Sequence, residues 1–229
     1  MTAIILQARL DSSRLPEKSL LPLGGKPLIF RVMEALNRIP AQLRILACPE
    51  DSVSAFSPLA AEAQFELFPG PKDDVLARYC LAIEKFNIQR VIRATGDNPF
   101  VFADAAAAIN NEALALGADY AGYGGLPYGA GVESVAAAAL LRAGAEASSS
   151  YDREHVCPYL YSNPGTFLLH RPLAGLHWQN PAMRLTVDTK EDYECARKLY
   201  AALDGCAGDE RYCGSAIIGA YAALFGVPA

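Results

Sequence analysis

Between positions 7 and 18 the chain reads Gln7-Ala8-Arg9-Leu10-Asp11-Ser12-Ser13-Arg14-Leu15-Pro16-Glu17-Lys18, a polar segment with three cations and two hydroxyls. Permanent positive charge beside directional hydroxyl donors is what a polyphosphate needs: neutralisation together with oriented hydrogen bonds. The segment is neither a P-loop nor a dinucleotide fingerprint, because G-x-x-x-x-G-K-[ST] and G-x-G-x-x-G are both absent. Gly24-Gly25-Lys26 reads as a turn before a helix rather than a phosphate cradle. Two aspartates complement the cations. Asp97 lies in Thr95-Gly96-Asp97-Asn98-Pro99, and Asp188 closes Arg184-Leu185-Thr186-Val187-Asp188. Magnesium is commonly held by one or two protein carboxylates, with substrate phosphates and water completing the octahedron. Taken singly, each aspartate also suits a helix cap, and the basic segment also suits a solvated surface loop. Taken together, they describe a nucleotide-plus-magnesium site.

These residues need elements that bring them to one place. Ala3–Gln7 is a continuous apolar run, the mark of a strand covered on both faces. Pro27 suits the first turn of a helix, and Ile29, Val32, Met33 and Leu36 follow at helical spacing. Leu43–Ala47 reads as the next strand, and Asp51 is placed to cap a helix through Glu62 that Pro58 interrupts. Phe65–Phe68 is a short third strand. Asp73 and Asp74 open a well-patterned helix, with Val75, Leu76, Tyr79, Cys80 and Ile83 inward. Arg90–Ala94 is a fourth strand, and an alanine-rich helix spans 103–116. This alternation predicts an α/β fold: three layers, with a doubly wound, mostly parallel sheet between helices. Ligands bind beyond the carboxyl ends of such strands, so function should lie just after Gln7, Phe68 and Ala94. Further on, the pattern is Gly-rich around 122–131, helical near 136–147 and 152–162, strand-like at 166–170 and 184–187, and helical from 190 to 203.

Composition narrows the function classes. Of 229 residues, 52% are hydrophobic and 20% charged, which excludes disorder and is expected of one domain over 1–229. The net charge of −5 argues against a nucleic-acid partner, but residues 1–40 hold six basic side chains against three acidic ones, so an anion should meet this segment. No stretch approaches 18 consecutive apolar residues, so no membrane association is expected. The opening MTAIILQAR reads as a buried strand and not as a signal peptide. Six cysteines without a C-x-x-C pair suit reduced thiols in a cytoplasmic protein.

Ordered blocks run through the chain: QARLDSSRLPEK with PLGGKPL, FPGPKDDVLARY, TGDNPF, GVES, DREHVCPY and RLTVDTKEDYE. With them the sequence resembles the cytidylyltransferase family of CMP-Kdo and CMP-N-acetylneuraminate synthetases, and within it the branch named for spore coat polysaccharide biosynthesis protein F. The likeness runs from residue 3 to about 203; residues 204–229 form a divergent tail with an expected final helix. It implies a glycosyltransferase-A-like nucleotidyltransferase fold and a homodimer, with 122–180 the expected contact. It also implies that Arg9, Ser13, Arg14 and Lys18 hold the CTP triphosphate, with Gln7 and Ala8 also binding the nucleotide and Asp74 and Arg78 bordering base or ribose. The magnesium carboxylates become Asp97 and Asp188, and catalysis rests on Arg14, Lys18 and Asp97. Glu133, Arg153 and His155 are implied for the acceptor, with Tyr123, Tyr128 and Trp178 as candidate walls. Two positions depart from the family pattern: Glu17 stands where the R-L-P-G-K turn carries glycine, and Asp11 where a small residue is common.

The expected activity is transfer of CMP from CTP to a sugar or related polar acceptor, with release of pyrophosphate, for a surface polysaccharide or glycoconjugate. A nucleotide-sugar-dependent glycosyltransferase of the same fold and a non-catalytic nucleotide-binding subunit are the alternatives. Arg14 and Lys18 favour the triphosphate.

Overall fold

A computed structural model describes residues 1–12, 14–206 and 208–226. Strand β1 (Thr2–Gln7) runs into the polar segment, which closes on a short 3-10 turn at Lys18–Leu20. A small hairpin of β2 (Pro22–Leu23) and β3 (Lys26–Pro27) then leads into helix α1 (Leu28–Leu36). Pro27 sits at the cap in extended conformation, one residue earlier than its expected place inside the first turn. Strand β4 (Leu43–Pro49) is followed by α2 (Val53–Glu62), which continues unbroken through Pro58. That proline forfeits one backbone hydrogen bond on an exposed face, while Phe56 and Ala60 on the other face are fully buried and hold the helix together.

Strand β5 (Glu66–Gly70) leads to α3 (Val75–Phe86), whose start is set by Asp74: its Oδ1 accepts from the Ala77 amide at 2.9 Å. Then come β6 (Arg90–Thr95), α4 (Ala103–Leu116), β7 (Tyr120–Ala121) and β8 (Glu133–Ala136). Next are α5 (Ala137–Glu146), α6 (Ser150–His155) and α7 (Pro158–Tyr161). The helical pattern expected over 152–162 is therefore two helices, parted at Val156, whose φ of 74° no right-handed helix accommodates. Strand β9 (Leu169–His170), α8 (Lys190–Leu203) and α9 (Gly214–Phe225) complete the chain. Residues 184–187 join no strand; Arg184 makes only an isolated bridge to Tyr128.

Among the described residues a seven-stranded sheet forms in the order β5-β4-β1-β6-β8-β7-β9. The four leading strands are parallel, whereas β8 runs antiparallel to both β6 and β7. Side chains alternate across β1: Ile4 and Leu6 pack with residues of α1, α2, α4 and α8, while Ala3 and Ile5 pack with those of α3 and α5. The result is the expected helix–sheet–helix sandwich around two cores. Ile217 of α9 is buried in the first of these, so the final helix packs back on it. No described helix is long and apolar enough to cross a membrane.

Candidate active site

The parallel register brings the ends of β1 and β6 level, with Gln7 opposite Thr95. The two chains nearly touch there. The Gly96 amide donates to Gln7 O at 2.8 Å, and a Cβ on Gly96 would stand 2.8 Å from Ala8 Cβ, so only glycine lets both loops leave together. A third segment arrives without a sheet strand: the Val187 amide donates to the carbonyl of Asp97 at 2.8 Å. Asp97 and Asp188 therefore share one end of the sheet despite their separation in the chain.

Between them lies Lys18. Its Nζ is 3.1 Å from Asp97 Oδ2, 2.8 Å from Asp188 Oδ1 and 2.9 Å from the carbonyl of Val187. Asp188 also receives Arg14 at 3.2 Å and Arg184 at 2.7 Å. Burial raises a carboxyl pKa, but at Asp188 it is outweighed by Lys18, Arg14 and Arg184, which hold the group below the ordinary carboxylate range. A capping box, with Thr189 and Asp192 satisfying each other's amides, fixes the start of α8 and hence the carboxylate beside it. Arg14 is 64% exposed, its guanidinium open to a ligand.

Two cavities open at this end of the sheet. One, of about 570 Å³, is lined by Gln7, Ala8, Arg9, Arg14, Lys18, Arg78, Asp97, His155 and Asp188, among others. The second, of about 550 Å³, is lined by Glu133, Tyr120, Tyr123, Arg171 and Val132. Arg93, Thr95, Asn98 and Gly131 line both, so the cavities adjoin along one wall. Glu133 Oε2 accepts from Arg93 Nη1 at 2.5 Å and its Oε1 from Tyr120 OH at 2.8 Å. Burial works against the charge of Arg93, yet Glu133 keeps its pKa above the ordinary arginine value.

Other expected site residues go elsewhere. Asp74 is absent from both linings; beyond its cap it pairs with Arg153 at 2.6 Å. Arg153 also donates to the carbonyls of Gly144 and Ala147. Its guanidinium thus ties α3 to the end of α5, which corrects the expectation that it meets the acceptor. Arg78 borders the first cavity, but it is only 2% exposed and donates to the carbonyls of Pro71 and Lys72. It shapes the loop after β5 from behind. His155 lines the first cavity, not the second, and packs at a tilt against the ring of Tyr151. Tyr128 lines the first cavity too, and Trp178 lies behind Tyr123, donating to Asp104. Asp11 does not oppose the phosphate cations directly; Lys72 stands 3.3 Å from it and 2.8 Å from Asp51. Ser13 lies outside the described residues. Sequence reasoning missed Arg93, Thr95, Asn98 and Lys72 as site residues; the signals were the charge at position 93 within a strand and the place of Thr95 and Asn98 on either side of Gly96-Asp97.

Residues 3–212 match the protein family described as Cytidylyltransferase. The chain belongs to the cytidylyltransferase family. It is thus a nucleotidyltransferase-family enzyme, and the resemblance carried by the sequence blocks holds. It is 32% identical over 203 residues to the spore coat polysaccharide biosynthesis protein SpsF of Bacillus subtilis (strain 168), covering 86% of this chain and 85% of that one. A cytidylyltransferase from Leptospira borgpetersenii shares the fold with a TM-score of 0.86 at 23% identity, over 95% of this chain and 92% of that one. A CMP:2-keto-3-deoxy-manno-octonic acid synthetase complexed with CTP shares it at 0.68 and 16% identity, over 87% and 98%. This cytidylyltransferase accordingly has the nucleotidyltransferase fold expected of it.

Proposed function

We propose that the protein transfers CMP from CTP to a hydroxyl of a sugar or related polar acceptor, releasing pyrophosphate, in the synthesis of a surface polysaccharide or glycoconjugate. The observation that carries this is the pair of adjoining cavities, one faced by cations and two aspartates and both walled by Arg93, Thr95, Asn98 and Gly131. The acceptor oxygen attacks the α-phosphorus, the bond from that phosphorus to the bridging oxygen breaks, pyrophosphate leaves, and the hydroxyl proton is released to solvent. Arg14 and Lys18 offset the charge gathering on the leaving group, and the shared wall aligns the two substrates.

Asp97 and Asp188 are the residues to hold magnesium. The donor set fits: two hard carboxylates converge, and the Lys18 ammonium already occupies the place of a cation between them. With two protein carboxylates, such an ion would share its shell with phosphates and water. Magnesium, when bound, supplies Lewis-acid neutralisation of the phosphates. A homodimer through 122–180 is part of the proposal, supported by the exposure of Leu173 (72%) and Leu176 (86%) next to the edge strand β9; a monomer mass by light scattering at micromolar concentration would remove it. Six free cysteines support a reducing, cytoplasmic setting.

Pyrophosphate release from CTP with a panel of sugar acids, hexoses and hexose phosphates tests the reading. Release that depends on both CTP and one acceptor is expected. Saturable CTP binding without turnover would instead indicate a binding subunit, and turnover only with a nucleotide-sugar a glycosyltransferase.

A further inference from the structure

Buried polar atoms in a folded protein almost always have partners, and the exceptions call for an explanation. Among the described residues four buried side-chain polar atoms have none: Gln7 Oε1, Arg44 Nε, Arg93 Nε and Asn98 Oδ1. Three of the four are at one place. Arg93 and Asn98 belong to the wall shared by the two cavities, and Gln7 lines the nucleotide side of it.

Strand register explains the convergence. Gln7 pairs with Thr95, Ile5 with Arg93, and Arg93 with Glu133 across the sheet, so Gln7, Arg93, Thr95 and Glu133 all stand on one face. Glu133 clamps Nη1 of Arg93, and Tyr120 steadies Glu133 in turn, which leaves the Nε–H of Arg93 fixed and unspent. Asn98 is fixed in the same way, since its Nδ2 donates to Thr95 Oγ1 at 2.8 Å while Oδ1 stays free. Gly129 packs closely against that Oδ1, where a Cβ would stand 3.0 Å from it and 2.7 Å from Thr186 N. The orphaned set is one donor and two acceptors. Phosphate oxygens bring acceptors only and cannot satisfy Gln7 or Asn98, whereas a hydroxyl both gives and takes a hydrogen bond.

We infer that Arg93 and Asn98, with Gln7 across the strand pair, seat the attacking hydroxyl of the acceptor. The hydroxyl donates to an amide oxygen and accepts from Arg93 Nε, which leaves an oxygen lone pair for the α-phosphorus. Asn98 adjoins Asp97, so the seated oxygen lies next to the phosphate end of the nucleotide cavity. This rests on the proposed CMP transfer.

The experiment uses the whole protein with Arg93→Lys, which keeps a cation for Glu133 but lacks the Nε–H, and Asn98→Ala, which removes Oδ1. CTP affinity is measured by calorimetry. Pyrophosphate release is measured against acceptor concentration, using whichever member of the panel the wild type accepts. The expected result is CTP affinity within about twofold of wild type and acceptor kcat/KM lower by about tenfold in each variant, in line with the loss of a fixed polar contact. Equal losses in CTP affinity and acceptor kcat/KM would assign the wall to the nucleotide and overturn the proposal, as would unchanged acceptor kinetics. If Arg93→Lys does not fold, by circular dichroism, Asn98→Ala decides alone. A wild type that releases pyrophosphate with no acceptor would overturn the proposed function itself, and the seat with it.

Discussion

Lys18 and Asp188 are 170 positions apart in the chain and meet at 2.8 Å, Nζ to Oδ1. The contact joins the loop after β1 to the start of α8, and Asp97 shares the same ammonium at 3.1 Å. One lysine therefore serves as counter-ion to both aspartates proposed for magnesium. A triphosphate and its cation must draw that ammonium away from the pair, onto phosphate oxygens.

Lys18→Ala should act in opposite directions on the two ligands. CTP affinity falls by roughly one to two decades, the worth of a charge-assisted contact of about 1.5–3 kcal/mol. Magnesium, in the absence of nucleotide, binds more tightly, because two facing carboxylates have lost their shared cation. Calorimetric titrations of each ligand separate the effects, and wild-type values for both would remove Lys18 from the site.

Asp97→Asn and Asp188→Asn each remove a charge but keep an oxygen. Each should abolish most turnover and raise the magnesium concentration needed for half-maximal rate. Acting on one ion, the pair should be non-additive, the double variant losing far less than the summed free energies. As independent caps they would cost little, since Asn caps nearly as well as Asp. A magnesium titration of pyrophosphate release for the four proteins decides.

The lowered pKa of Asp188 makes part of the stability acid-sensitive. Its folded value lies below the ordinary 3.8, so the unfolded chain takes up the proton first as pH falls. The contribution is complete above that ordinary value and is lost as pH falls through the folded one. Urea midpoints for wild type and Asp188→Asn should differ most near neutrality and converge from about pH 4 downward. A constant difference down to pH 2 would contradict the ion-pair assignment.

Glu17 occupies the left-handed region, with φ 51° and ψ 28°. The glycine usual in this turn thus has a conformational basis, and here a residue with a Cβ bears the strain. Glu17→Gly should stabilise the fold by about 1 kcal/mol, the order of the left-handed penalty for a residue with a Cβ. It also removes a negative charge next to Lys18, so CTP affinity should rise. Thermal unfolding and calorimetry read the two effects; a fall in both would show that Glu17 holds the turn in some other way.

The parallel half of the sheet was legible because β1, β4 and β6 are apolar runs, and the loops at their ends carry Lys18 and Asp97. The antiparallel β8 was not. Its four residues, Glu-Ser-Val-Ala, run straight into the alanines of α5, where helical periodicity dominates. Arg93 escaped for a related reason: its importance comes from facing Glu133 across β6 and β8, a pairing invisible without β8. Asp188 was found through a strand that does not form; a hydrogen bond from the Val187 amide to the Asp97 carbonyl, with the capping box of α8, does the placing instead. Arg153 looked available because a sequence does not show that Asp74 and two carbonyls already use its donors.

The wall common to the two cavities also bears on how the proposed transfer is inhibited. A CMP conjugate is nucleotide and acceptor in one molecule, and it must lie across Arg93, Thr95, Asn98 and Gly131 to occupy both compartments. While it remains there, neither CTP nor a fresh acceptor has room. The conjugate should therefore inhibit competitively against both substrates, whereas pyrophosphate, confined to the cationic compartment, competes with CTP alone.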